Sequence, residues 1–252
     1  HTKLPSLEAR KTPFYAYNLS LLNQTIDTCS AEAKRYNFHV HYALKANSNA
    51  RILQQFISKG FGADCVSGNE VKAAYAAGFK CEDIVFAGVG KSDTEINAAL
   101  DLAIRCFNCE SIQEIEVINE LAAAKGKVAS IALRINPNVN ANTHQYITTG
   151  LEENKFGINQ IQLPDLLEQL TKLSHIKLIG LHFHIGSQII DLDVFKNLCT
   201  RVNEFTAWFE QRKVHLEIIN VGGGLGIDYD KPDAKPIPDF EKYFAIFNSF
   251  ST

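Results

Sequence analysis

Short β-prone apolar runs alternate along this chain with stretches whose apolar residues recur at helical spacing. "FHVHYALK" (38–45) precedes an amphipathic stretch over 49–59, and "FGADCVS" (61–67) precedes "GNEVKAAYAAG". "DIVFAG" (83–88) leads into "SDTEINAALDLA", where Ser92 with Glu95 three residues on spells a capping box. "AIRCFN" (103–108) leads into "SIQEIEVINELAAAKG", again Ser followed by Glu114, with a glycine stop at Gly126. Then come "VASIALRINP" (128–137), a helix near 164–173, "IKLIGLHFHIG" (176–186), a helix over 191–211, and "VHLEIINVGGG" (214–224).

Strands that take turns with helices predict an α/β fold on a parallel sheet. Eight βα units close a TIM (β/α)8 barrel, and the pattern here supplies seven. The expected architecture is therefore an incomplete TIM-type barrel, with a doubly wound open sheet as the other arrangement the pattern allows. The one irregular stretch, "NPNVNANTHQYITTGLEENKFGINQ" (136–160), is too long for an idle connection. Barrel sites are built at strand C-termini, and the chemistry-bearing residues of this chain fall there.

Composition narrows the partners. At 252 residues with 46% hydrophobic and 21% charged content, the chain reads as an ordinary globular protein. A net charge of −3 gives no basic field, which argues against nucleic acid. No apolar run approaches the roughly 18 residues of a membrane helix. The polar start "HTKLPSLEARKTPF" has no apolar core of the kind a secretory signal carries. Six dispersed cysteines in a chain this long read as reduced thiols in a cytoplasmic protein. The lone CxxC, Cys106 to Cys109, lacks the second pair a zinc ribbon needs. The chain starts at His1, holds no methionine and stops at "FNSFST", so the expectation is a fragment or a processed chain.

Lys45 ends the first strand, Asp64 the second, Arg134 the fifth and His184 the sixth, with Ser187 just beyond. Gly222, Gly223, Gly224 and Gly226 follow the seventh. Each has an ordinary structural reading alone, but together they occupy one rim. Backbone N–H groups in a glycine run approach an anion closely, and barrels recurrently hold phosphate after strands seven and eight. A lysine, a phosphate cradle and an imidazole to lie against an aromatic ring suggest pyridoxal 5′-phosphate, with Lys45 as its covalent anchor.

Two rival chemistries fit less well. "VFAGVGKS" (85–92) ends like a P-loop, but Val85 stands where the first Walker glycine belongs. HxH occurs at His39/His41 and His182/His184, as in barrel metallohydrolases. At roughly 3.3 Å per residue, His41 would lie about 13 Å below Lys45, away from the rim. No metal is expected.

"YALKAN", "GADCVSGNE", "LRINP", "ITTGLEENKFGI", "GLHFHIGSQI" and "NVGGGLGIDY" resemble the motif series of the diaminopimelate decarboxylases. These belong to the fold type III, alanine-racemase-like pyridoxal-phosphate enzymes, with the ornithine and arginine decarboxylases. The resemblance runs from about residue 11 to 245, and "THQYITTGLEENKFGI" with "HFHIGSQI" points to the diaminopimelate branch. It implies that Lys45 is the Schiff-base lysine and that His184 stacks on the pyridine ring. It makes Asp64 and Glu70 acidic supports of that histidine and the cofactor, and Arg134 a barrel arginine near it. Ser187, Gly222, Gly223 and Gly224 become phosphate contacts. Asn47, His144, Thr149 and Lys155 lie in matching motifs without an assigned role.

The implied reaction removes CO2 from meso-2,6-diaminopimelate to give L-lysine, in a homodimer with the site at the interface. Other decarboxylases of basic amino acids or carboxylated polyamines, a racemase, or a non-catalytic relative that binds cofactor share these motifs. The family's Glu-Pro-Gly-Arg motif, which supplies the pyridine-nitrogen partner near strand eight, is not in the sequence, nor is its C-terminal β-domain. The expected organisation is a lead segment 1–18, with a strand at "TPFYAYN" (12–18) that joins that domain, and a cofactor-binding barrel domain over 19–252.

Overall fold

The computed structural model describes residues 10–139 and 156–250. Within them run α1 (Leu19–Arg35), β1 (His41–Ala43), α2 (Ala50–Ile57), β2 (Gly62–Cys65), α3 (Gly68–Ala77), β3 (Ile84–Phe86), α4 (Asp93–Leu102) and β4 (Cys106–Cys109). They continue as α5 (Ile112–Ala124), β5 (Ala129–Arg134), α6 (Leu163–Leu170), β6 (Ile176–His182), α7 (Asp193–Glu210), β7 (Ile218–Asn220) and α8 (Phe240–Phe250). All seven strands are parallel and lie in the order β1-β2-β3-β4-β5-β6-β7. That sequential order excludes the doubly wound sheet, whose strand order reverses at a switch point. It is the order of a TIM-type barrel one strand short.

Helices α4 and α5 start where Ser92 and Ser111 predict, and α3 starts at a third serine, Ser67. Ser67 and Ser111 accept from the amides of Glu70 and Glu114 at 3.3 and 3.2 Å. Glu95 takes the Ser92 amide at 3.0 Å, and its other oxygen takes the Gly68 amide at 2.7 Å, tying α4 to α3. Each cap satisfies amides that a helix start leaves without partners.

Two apolar layers flank the sheet. Val85, Cys106, Ala132 and Ile179, joined by Ile218, form a small inner cluster. Phe86, Phe107, Leu133 and Leu181 belong instead to the large cluster shared with the helices. The strict alternation breaks once, at an irregularity between Ile131 and Ala132, where Leu178 and Gly180 are the partners on β6 and Ile179 is the extra residue. That extra residue re-aims the end of β6. Burial pushes the Cys106 thiol up to about 12, so β4's CxxC holds packed, protonated thiols.

Two helices went unread in the sequence, α1 and α8. For α8 the signal was there: Asp239 accepts from the Lys242 amide at 3.0 Å, and Phe240, Tyr243, Phe244 and Phe247 repeat at helical spacing. Its aromatic face fills the seam between α1 and α7. Phe38 lies 5.6 Å from Phe244, and Phe195 lies 5.0 Å from Tyr243. The helical layer is thus continuous from α7 through α8 to α1, while β1 and β7 each keep a single strand neighbour.

Residues 12–18, where a strand joining a further domain is expected, are exposed and unpaired with the sheet. No helix among the described residues is long and apolar enough to cross a membrane.

Candidate cofactor site at the strand ends

The register puts the polar residues of the inner face at one end of the sheet. Ala43 pairs with Asp64, and Arg134 pairs with His182, which pairs with Asn220. His184 and Ser187 follow β6, and the glycines follow β7, so the rim expected from sequence is assembled. Two boundaries differ. β6 stops at His182, two residues before His184, and Lys45 sits in a one-turn 3-10 helix (Leu44–Ala46) beyond β1 rather than on the strand. Lys45 is also exposed, not enclosed in a cleft, because β1 is an edge strand with a neighbour on one side only.

Asp64 is the electrostatic centre. Burial pushes its carboxyl up to about 6, against the pull of Lys45, His184 and Arg134 and with a further push from Glu70. Its Oδ1 is buried without a hydrogen-bond partner. Asn108 Nδ2, Glu110 Oε2 and His182 Nδ1 are buried and unpartnered as well. Burial, with Arg134, His184 and Lys91 adding to it, holds His182 neutral, well below the usual imidazole range. Buried polar atoms normally find partners, so such orphans mark a place built for a polar guest.

Glu70 does two jobs: it lies in reach of Asp64, and its Oε2 accepts the Val66 amide at 2.8 Å, tightening the entry to α3. Asn47 is structural. It donates to the Tyr17 hydroxyl at 3.0 Å and accepts the Asn49 amide at 2.9 Å.

The glycine run divides by role. Gly222 has φ +74, and a Cβ there would sit 2.5 Å from the Phe183 carbonyl; its amide is taken by Asn220 Oδ1 at 2.8 Å. Gly224 has φ +91 and crowds the Gly186 carbonyl. Both are glycine for the chain's own geometry. A Cβ at Gly223 would meet nothing within 4 Å, so protein sterics do not explain that glycine, whereas close approach of an anion does.

Ser187 is brought beside this run by a short parallel bridge, Ile189 to Leu225. The Ile189 amide donates to the Gly224 carbonyl at 2.8 Å, and the Gly226 amide to the Ile189 carbonyl at 2.9 Å. Gln188, passed over in the sequence, clamps the same two loops by accepting the Ile227 amide at 3.1 Å.

Lys91, the lysine of the P-loop-like stretch, is committed to partners within the protein. Its ammonium, 1% exposed, donates to the Gly88 and Asn108 carbonyls at 2.9 Å each and pairs with Glu114 at 2.5 Å. His41 lies at the opposite end of the sheet, opposite Gly62, where its ring contacts His39 at 4.9 Å. His144, Thr149 and Lys155 lie outside the described residues.

This rim belongs to a recognised family. The model of the pyridoxal-dependent decarboxylase, pyridoxal-binding domain, matches residues 21–249, and the chain is a member of that family, with pyridoxal 5′-phosphate as cofactor. Its relatives narrow the class. It is 52% identical over 238 residues to the diaminopimelate decarboxylase of Bacteroides thetaiotaomicron, covering 94% of this chain and 62% of the relative. The corresponding enzyme of Neisseria meningitidis serogroup A is 40% identical over 236 residues, covering 94% of this chain and 57% of that one. Among solved structures, diaminopimelate decarboxylase from Helicobacter pylori complexed with L-lysine superposes with a TM-score of 0.88 at 36% identity, covering 97% of this chain and 61% of that chain. The chain thus spans about three-fifths of the length of the relatives it matches.

The residues present fit the cofactor. Unpartnered buried oxygens and nitrogens lie inside the rim, an open glycine amide lies on one side, and a lysine lies in electrostatic reach of Asp64.

Proposed function

We propose that the protein containing this chain decarboxylates meso-2,6-diaminopimelate to L-lysine and CO2. The observation that carries the reading is the juxtaposition of Lys45, His184 and Arg134 around Asp64, whose Oδ1 is buried without a hydrogen-bond partner, in a chain 52% identical to a diaminopimelate decarboxylase. Pyridoxal phosphate, when bound, supplies the sink for the electron pair left by the departing carboxylate. Lys45 Nζ would anchor it, and its exposed position would leave room for a substrate amine. Gly223 and Gly224, with Ser187, would hold the phosphate, while Gly222 shapes the turn. His184 supports the ring face, and Asp64 with Glu70 sets the charge around that imidazole. Arg134 adds a fixed positive charge to the same pocket.

The reading extends to a homodimer with the site at its interface, in the cytoplasm. Exposed Val66, Val89, Ile190 and Ile227 stand in the loops around the rim, as expected of a face that another chain covers. The segment 1–18 then joins a β-domain, and 19–252 forms the cofactor-binding barrel domain.

The test is lysine formation by the full-length protein with added cofactor, with ornithine and arginine in parallel. Lysine from meso-diaminopimelate alone, lost in Lys45→Ala together with the borohydride-trapped cofactor, supports the assignment. Turnover of ornithine or arginine at a comparable rate sinks the substrate, and a trapped cofactor at another lysine sinks the site.

A further inference from the structure

We infer that Lys91, Glu114 and Glu110 form an ionic relay that holds the guanidinium of Arg134 in place beside the cofactor site, so that residues away from the cofactor set how well it binds. The inference rests on the cofactor reading above and adds three positioning residues to it.

The relay runs across the ends of β3, β4 and β5. Lys91 Nζ pairs with Glu114 Oε1 at 2.5 Å. Glu114 Oε2 accepts the Glu110 amide at 2.8 Å, and Glu110 Oε1 takes Arg134 Nη1 at 2.5 Å. Side-chain exposures are 1% and 12% for Lys91 and Glu114, and 11% and 8% for Arg134 and Glu110. Two cations thus bracket two carboxylates away from water. Replacing such buried pairs with apolar residues is often neutral for stability, so stability alone does not account for two of them in one row. Fixed position does.

The far end of the row shows what is positioned. Arg134 lies within electrostatic reach of both Asp64 and His182, and it stacks 5.6 Å from the Phe156 ring. Asp64 Oδ1 is unpartnered. A guanidinium released by Glu110 has a carboxylate to turn to, and that turn takes both groups away from the cofactor. Glu110 keeps Arg134 off Asp64. Glu114 fixes Glu110 through its backbone, and Lys91 fixes Glu114 while pinning the loop after β3 through the Gly88 carbonyl.

The test is a double-mutant cycle in the full-length protein, read by titrating pyridoxal phosphate and following its visible circular dichroism, with thermal melting as the fold control. Glu110→Gln is isosteric. It is expected to weaken cofactor binding about tenfold to a hundredfold, the scale of one lost hydrogen bond to a charged group, and to alter the visible band. Lys91→Met should act in the same direction and less, and Glu110→Asp should recover part of the loss. On an Arg134→Gln background, Glu110→Gln should add nothing. Unchanged affinity and band in Glu110→Gln and Lys91→Met, or an equal loss with and without Arg134, would overturn the relay. Wild-type protein that gave no visible band would overturn the cofactor reading itself, and the relay with it.

Discussion

The middle of the sheet and its two edges are built differently. In β3 and β4 every residue is buried, and the charges beyond them are locked into Lys91–Glu114 and Arg134–Glu110 pairs. In β1 and β7 no residue is fully buried, Lys45 is exposed and Gly223 faces open space. The comparison separates two requirements of one site. Groups that hold a fixed charge need neighbours on both sides to remove water and define their geometry. Groups that, on the proposed reading, would exchange partners with a cofactor and substrate sit where the protein leaves room. Helix α8 joins α7 to α1 on the side where β1 and β7 each lack a second strand neighbour.

The sharpest way to break this division is at α8. Phe244→Ala removes a 7% exposed aromatic from the seam with Phe38 and should cost about 3–5 kcal/mol, read as a lower urea midpoint at unchanged m-value. If the edges were already independent of the helical layer, the midpoint would barely move.

The glycine run comes next. Gly222→Ala forces a left-handed φ and a backbone clash, and should destabilise by about 1–3 kcal/mol. Gly223→Ala should leave the melting temperature within a degree or two of wild type while weakening pyridoxal phosphate binding. Equal melting losses for both variants would refute the division of roles.

The smallest effect is the pH response of the cofactor-free protein. Burial lowers His41 from 6.5 to about 4 and holds His182 well below 6.5, so in the folded state both stay neutral where the unfolded chain takes up protons. Their contribution is lost as pH falls below 6.5. Asp64, raised from 3.8 to about 6, works the other way and gains as pH falls through that window. Two groups oppose one, so the melting temperature should decline from pH 6.5 towards 4, at roughly 2–4 °C per kcal/mol. The decline should be shallower in His182→Gln and steeper in Asp64→Asn. A melting temperature that rose on acidification would contradict the burial assigned to the histidines.

Much of this was legible beforehand. The serine caps at Ser92 and Ser111, the β-prone runs and the rim residues all follow from local rules, because a cap or a strand's periodicity involves residues close in sequence. Glu110 was not legible. It sits one residue before an N-cap serine and reads as a surface carboxylate, and only the pairing of β4 with β5 brings Arg134, 24 residues away, onto it. Gln188 was missed for the same reason, since its partner Ile227 lies 39 residues on.

By itself, then, the sequence determined the alternation of strands and helices, where most helices begin, the candidate lysine and the glycines that an anion would meet. The tertiary structure decided which glycine opens to a ligand, which charges are locked, that Lys45 stands exposed at an edge, and that α8 bridges α7 and α1. The physical reason is range. Caps and periodicity act within a few residues, whereas burial, register and the pairing of distant charges exist only after the chain has brought them together.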